Sequence, residues 1–236
     1  MKIAINQPYF FPYLGYFSLI KHTDQFLILD IVQFVHQSWV RRNRILDATG
    51  GWKYISVPVN KSHRETLIKD ITISNSHNWK QDIINQMVVY RKIAPNYREV
   101  IDLLNYIFKN EYTHVSDLCQ RSTEIVCNYL GIETEIKLFT NMNLTIEKPG
   151  ATDEWALNIC KAINEVDEYL NLPNGISFYD RSKYEKAGIT IEFLRNHLKH
   201  YNQGTNGFEP GLSIIDVMMF NSRKEIHELL DDFELL

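Results

Sequence analysis

QFLILDIVQF, residues 25–34, is the stretch that most restricts the fold. Seven of its ten residues are apolar, with no alternation between faces. A run this short and this apolar reads as a strand buried on both sides, which is the environment of a parallel sheet. KIAIN (2–6) ahead of it reads as a short strand. Residues 12–22 suit a helix, with Leu14, Phe17, Leu19 and Ile20 apolar and Pro12 near the first turn. Strand, turn, helix and apolar strand make a βαβ unit.

The remaining periodicity extends this class. WKYISVPVN (52–60) and residues 66–73 alternate and read as strands. From Asn78 the period changes to three and four. WKQDIINQMVVYRKI, YREVIDLLNYIFK and HVSDLCQRSTEIVCNYL read as three helices, the last ending at Gly131. Residues 134–139 form a strand, DEWALNICKAIN a helix, DEYLN and ITIEFL short strands, and Ser213 N-caps a terminal helix. We expect one α/β domain over 1–236, with a mostly parallel sheet, flanking helices and a helical insert at about 78–130.

Composition narrows the function classes. With 44% hydrophobic and 23% charged residues the chain reads as globular. No apolar run reaches membrane-spanning length and no signal-peptide pattern opens the chain, so cytoplasmic residence without membrane insertion is expected. Cys119, Cys127 and Cys160 form no CxxC or Cys/His cluster. They read as apolar fillers, and no metal site is expected. Net charge is −4, split as +6 over residues 1–100 and −10 over the rest. Residues 36–64 hold six cations and one acid, Asp47. Such a patch attracts phosphates, or it pairs with the acidic half. It is too short, in an acidic chain, to suggest nucleic acid as a partner.

Ligands of open parallel sheets sit beyond the carboxyl ends of the strands. The first two ends are Asn6–Pro8 and Asp30–Gln33. The loop after the first strand has two prolines that fix φ, and rings that wall a recess. Gln7, Tyr9, Tyr16 and Gln33 are therefore candidate binding residues. In SWVRRNRI, Arg41 and Arg44 can clamp a phosphate and Asn43 can both donate and accept. His36 stands just past the second strand. Tyr201 and Gln203 lead into a glycine-bearing loop that Ser213 follows, and the glycines permit close approach of backbone to a ligand. No Walker loop, GxGxxG or nucleophile elbow is present. The residues alone support an anion-and-ring pocket.

QPYFFPYLGYFSLI, DQFLILDIVQF, SWVRRNRI and WKYISVPV together resemble the WbqC-like protein family. The resemblance continues through YRKIAPNY (90–97), NGISFYDRSKYEKAGITIEFL (174–194) and YNQGTNGFEPGLSIIDVMMFN (201–221). It implies a role in bacterial O-antigen or other surface-polysaccharide biosynthesis. The activity it implies is transfer of an acyl or aminoacyl group, such as glycyl, to a nucleotide-linked amino sugar. In that reading His36 or Asp30 is the base, Arg41 or Arg44 holds the diphosphate, and Gln7 and Asn43 orient the acceptor. The acyl donor is unknown, with acyl-CoA or another activated acyl group as candidates. The alternatives are a non-catalytic sugar-nucleotide-binding or assembly protein and an ATP-dependent amide-forming ligase. The first unit also looks distantly like that of nucleotidyltransferases, whose His-x-Gly-His motif is matched here by ProTyrLeuGlyTyr (12–16), without either histidine.

Overall fold

The computed structural model describes residues 1–205 and 207–236. Six strands form the main sheet: β1 (Lys2–Asn6), β2 (Gln25–Ile28), β5 (Glu135–Leu138), β6 (Glu168–Asn171), β7 (Thr190–Asn196) and β8 (Phe233–Leu235). Their spatial order is β5-β2-β1-β6-β7-β8. All neighbours pair in parallel except β7 and β8. The chain builds outward from β1 to β2 and β5, then returns to β1's other side for β6 and β7. The point where the order reverses lies between β1 and β6.

Period-two side-chain placement puts one core on each face of the sheet. Ala4, Phe26, Ile28, Leu170 and Leu194 face one way. They are covered by α1 (Leu14–Lys21), the helical insert, α7 (Ile214–Phe220) and α8 (Arg223–Leu230). Ile3, Ile5, Leu27, Tyr169, Ile191 and Phe193 face the other, under α5 (Glu154–Ala162) and α6 (Arg181–Lys186). The insert comprises α2 (Trp79–Gln86), α3 (Tyr97–Phe108) and α4 (Val115–Leu130), and Gly131 closes α4 in the left-handed region at φ 74.

Two expectations are corrected. The alternating residues 66–73 make no strand: they hold a 3₁₀ turn at Ile68–Asp70 and single bridges to Gln33, Val59 and His114. The 52–60 strand does not join the main sheet. Its first half, β4 (Trp52–Ser56), pairs antiparallel with β3 (Arg42–Leu46), a strand that two arginines conceal from a hydrophobic-pattern reading. This hairpin buries Asn43, Ile45 and Ile55 and turns Arg42, Arg44, Trp52 and Tyr54 outward.

Candidate functional site

The loop after β1 is held under strain. Phe11, fully buried, has φ 41, where a non-glycine residue costs roughly 1–2 kcal/mol. Such a conformation persists only when its surroundings over-determine it. Asn43 Nδ2 donates to the carbonyls of Phe10 (3.1 Å) and Phe11 (2.9 Å). Ser213 Oγ donates to Phe11 O at 2.8 Å, and the backbone N–H groups of Phe10 and Ile214 bond Trp39 O and Pro12 O. Tyr16, fully buried, donates to Gln7 O at 2.9 Å. These bonds fix where Tyr9 and Tyr13 stand.

Both tyrosines line a cleft of about 450 Å³ beyond the carboxyl ends of β1, β6 and β7. That is the position the sheet order reserves for a ligand, and the volume falls within the usual range of small-molecule sites. Tyr9, Tyr13 and Trp39 make one wall. Leu172, Pro173 and Asn174 after β6, with Arg195, Asn196 and Leu198 at the end of β7, make the second. Asn43, Arg44, Pro210 and Gly211 close the third side. A larger cavity of about 610 Å³ in front of α3, lined by Arg91, Arg98 and Glu99, has no strand end beside it.

The cleft is cationic. Arg195 pairs with Glu234 at 2.8 Å, an exposed contact. Arg44 has no acidic partner among the described residues. One of its terminal nitrogens donates to Gly211 O at 3.0 Å, and its guanidinium lies 5.5 Å from the Trp39 ring and 5.1 Å from the Trp52 ring. Its Nε is buried without a hydrogen-bond partner among the described residues. No ion pair among the described residues reaches Arg41, Arg42, Arg44, Lys53, Lys61 or Arg64. The acidic half therefore makes no direct ion pair with this patch among the described residues. Among the described residues, no carboxylate or imidazole lines the cleft. Burial holds the Tyr9 phenol above its ordinary value and pushes Tyr13 up to about 12, so neither ionises near neutral pH.

The third wall is a strap braced from below. Asp216, fully buried on α7, accepts hydrogen bonds from Tyr201 (2.5 Å), Tyr90 (2.8 Å) and Gln203 (2.8 Å). Gln203 then exchanges two bonds with the backbone of Glu209, and the Tyr90 hydroxyl accepts from Leu46 N in β3. Burial pushes the Asp216 carboxyl up to about 6, against the lowering effect of its three donors.

The family model of the WbqC-like protein family matches residues 7–228. The chain belongs to the WbqC-like family. It is also 32% identical, over 97% of both chains, to the protein named "Uncharacterized protein Rv1507c" from Mycobacterium tuberculosis (strain ATCC 25618 / H37Rv). No solved structure matches it.

Of the residues expected to bind in this WbqC-like chain, the structure brings Tyr9, Asn43 and Arg44 to the cleft. Asn43 and Ser213 spend their polar atoms on the strained loop. Tyr16 sits beneath that loop, and Tyr201 and Gln203 brace the strap. Gln7 is half-buried and does not line the cleft. Asp30 is buried on the β5 side of β2, accepts from Thr140 N at 3.1 Å, and has its carboxyl raised by burial. Gln33 and His36 are exposed, Gln33 donating to Arg64 O and His36 lying 6.3 Å from the Phe34 ring. Arg41 Nε donates to Val57 O; burial and neighbouring Arg42 lower its pKa. Of the cleft residues that sequence reasoning missed, Leu172, Pro173, Asn174, Arg195, Asn196 and Leu198 follow β6 or end β7, and Tyr13, Trp39, Pro210 and Gly211 lie on the other walls. The strand-end rule, applied to DEYLN and ITIEFL as it was to the first strands, points to Asn174 and Asn196.

Proposed function

We propose that this WbqC-like protein binds a nucleotide-linked amino sugar in the switch-point cleft and serves assembly of a bacterial surface polysaccharide such as O-antigen. The diphosphate lies on Arg44 and Arg195, and the rings lie against Tyr9, Tyr13 and Trp39. One observation carries this reading: Arg44 is a half-buried guanidinium without a counter-charge among the described residues, close to two indoles at the edge of a ring-walled cleft. An unpaired cation out of bulk water is stabilised by an anion that brings both charge and acceptor oxygens.

Transfer of an acyl or aminoacyl group to the bound sugar is a second reading. It is favoured by Asn174, whose exposed side chain on the cleft wall has no hydrogen-bond partner among the described residues. Its amide can donate to an oxyanion as the sugar amine attacks an activated acyl carbonyl. The C–N bond forms, the bond to the leaving group breaks, and the amine proton passes to that group or to water, because no described residue of the cleft wall is a carboxylate or imidazole base.

Thermal shift and calorimetry against UDP-linked amino sugars test the binding reading. A rise in Tm that grows with the logarithm of ligand concentration is expected. No shift with any nucleotide sugar overturns it. Mass spectrometry after adding acyl-CoA donors tests transfer separately. Binding without a mass gain on the sugar leaves a binding protein.

A further inference from the structure

The outer face of the β3–β4 hairpin extends well beyond the cleft. Val35, Trp39, Trp52 and Tyr54 are 61%, 38%, 40% and 38% exposed. The Trp52 and Tyr54 rings lie 5.0 Å apart and the Trp39 and Tyr54 rings 6.3 Å, so the three form one surface. The hairpin register produces it: Arg42, Arg44, Tyr54 and Trp52 share the outward side while Asn43, Ile45 and Ile55 face the core. Arg42 stacks at 4.2 Å on the Tyr54 ring.

Charge is concentrated on the same segment. Residues 36–64 carry six cations against Asp47, in a chain whose net charge is −4. Asp47 turns its carboxylate onto the amide and hydroxyl of Thr49, and the next acids along the chain on either side are Asp30 and Glu65. Lys61 and Arg64 are exposed and engaged in no ion pair among the described residues. Indole and phenol rings interleaved with unpaired guanidinium and ammonium groups have the chemistry of the headgroup layer of a bilayer. The rings settle at the boundary between headgroups and chains, and the cations meet lipid phosphates. No helix among the described residues is long and apolar enough to cross a membrane, so the contact is a surface one.

We propose that this hairpin face docks on the surface of an anionic phospholipid bilayer. Trp39, Trp52 and Tyr54 sit at the boundary, and Arg42, Lys61 and Arg64 lie on the phosphates. The docking is independent of what occupies the cleft, but Trp39 and Arg44 belong to both surfaces. A docked molecule therefore opens its cleft at headgroup level, where a diphosphate attached to a lipid can reach it.

Co-sedimentation of the full chain with vesicles tests the docking. Phosphatidylcholine mixed with phosphatidylglycerol is compared with phosphatidylcholine alone, at low and at high salt. The expected result is binding to the mixed vesicles only, lost as salt screens the charges. Lys61→Gln with Arg64→Gln should lower the partition by about fivefold for each charge, the factor matching ~1 kcal/mol per cation near an anionic surface. Lys186→Gln, on α6 across the sheet, should leave it unchanged. Brominated phosphatidylglycerol should quench the tryptophan emission of the wild type but not that of the Trp39→Phe/Trp52→Phe variant. Absence of binding at low salt overturns the proposal. So does equal binding to neutral vesicles, insensitivity to the charge variants, quenching that persists in the double Phe variant, or displacement from vesicles by single-stranded RNA.

Discussion

Arg44 combines three features in one side chain: a guanidinium close to two indole rings, a backbone carbonyl accepting from one of its nitrogens, and a place on the cleft lining. Lysine matches the charge but not the planar fork that stacks and donates at two points. Arg44→Lys should therefore weaken nucleotide-sugar binding tenfold or more, the equivalent of the roughly 1.5–3 kcal/mol of a charged hydrogen bond. Tm should hardly change; calorimetry and a melting curve separate the two effects. Gly15 sets a different condition. A Cβ placed there falls 2.5 Å from Tyr13 Cε2 and 2.7 Å from its hydroxyl, so Gly15→Ala must move a ring of the cleft wall. Alanine improves the helix propensity of α1 by roughly 1 kcal/mol. Stability should hold or rise while affinity falls, and unchanged affinity would remove Tyr13 from the wall. At this scale the sequence announced residue types more faithfully than their partners. Asn43 and Ser213 were legible as polar groups near the site. Their engagement with a Phe carbonyl at φ 41 depends on a backbone conformation that no residue pattern encodes.

The strap formed by residues 201–205 and 207–211 is braced by one buried carboxyl. Asp216 receives three donors from Tyr90, Tyr201 and Gln203, and the strap it braces delivers Gly211 O to Arg44. Its pKa is raised from 3.8 to about 6, so the folded state binds the proton more tightly than the unfolded chain does. The stabilising contribution is complete below about pH 3.8 and is lost as pH rises through about 6, a change on the order of 3 kcal/mol. Asp216→Asn removes this titration and replaces one of the two acceptor oxygens with an amide NH2, which then faces the donor or donors that oxygen served. The variant should be less stable throughout, and its deficit in Tm should widen as pH falls from 7.5 to 5. A deficit independent of pH would show that the carboxyl does not titrate there. Elements differed in how well they could be read. The first βαβ unit and the insert announce themselves through apolar period. β3 does not, because its outward positions carry arginines whose only local demand is solvent or an anion. The neighbour of β1 across the switch point, β6, lies some 160 residues along the chain, and short-range pattern carries no information on that pairing. Sequence pattern alone therefore points to the ends of β1 and β2, whereas the cleft lies at the ends of β1, β6 and β7.

The three cysteines report on the molecule as a whole. Cys119 and Cys127 lie on α4, in the core on one face of the sheet, and Cys160 lies on α5, in the core on the other. All are buried, and burial pushes the Cys127 and Cys160 thiols up to about 12, which suppresses the thiolate that reacts. A disulfide-exchange reagent should find no reactive thiol in the native protein. Were the two cores separate folding units, each would open with its own free energy, and Cys160 would react at a rate unrelated to the others. The strands argue otherwise. Ile3 and Ala4 are adjacent on β1 yet serve opposite cores, as do Leu170 and Tyr169 on β6, so neither core can open without unpairing the strands that build the other. In increasing urea, all three thiols should then become reactive with the same midpoint and the same slope, coincident with loss of far-UV circular dichroism. Earlier reaction of Cys160 alone, traced by mass spectrometry of the labelled peptides, would divide the chain into two units and make the cleft, which draws its walls from β1 and β7 alike, a joint between them.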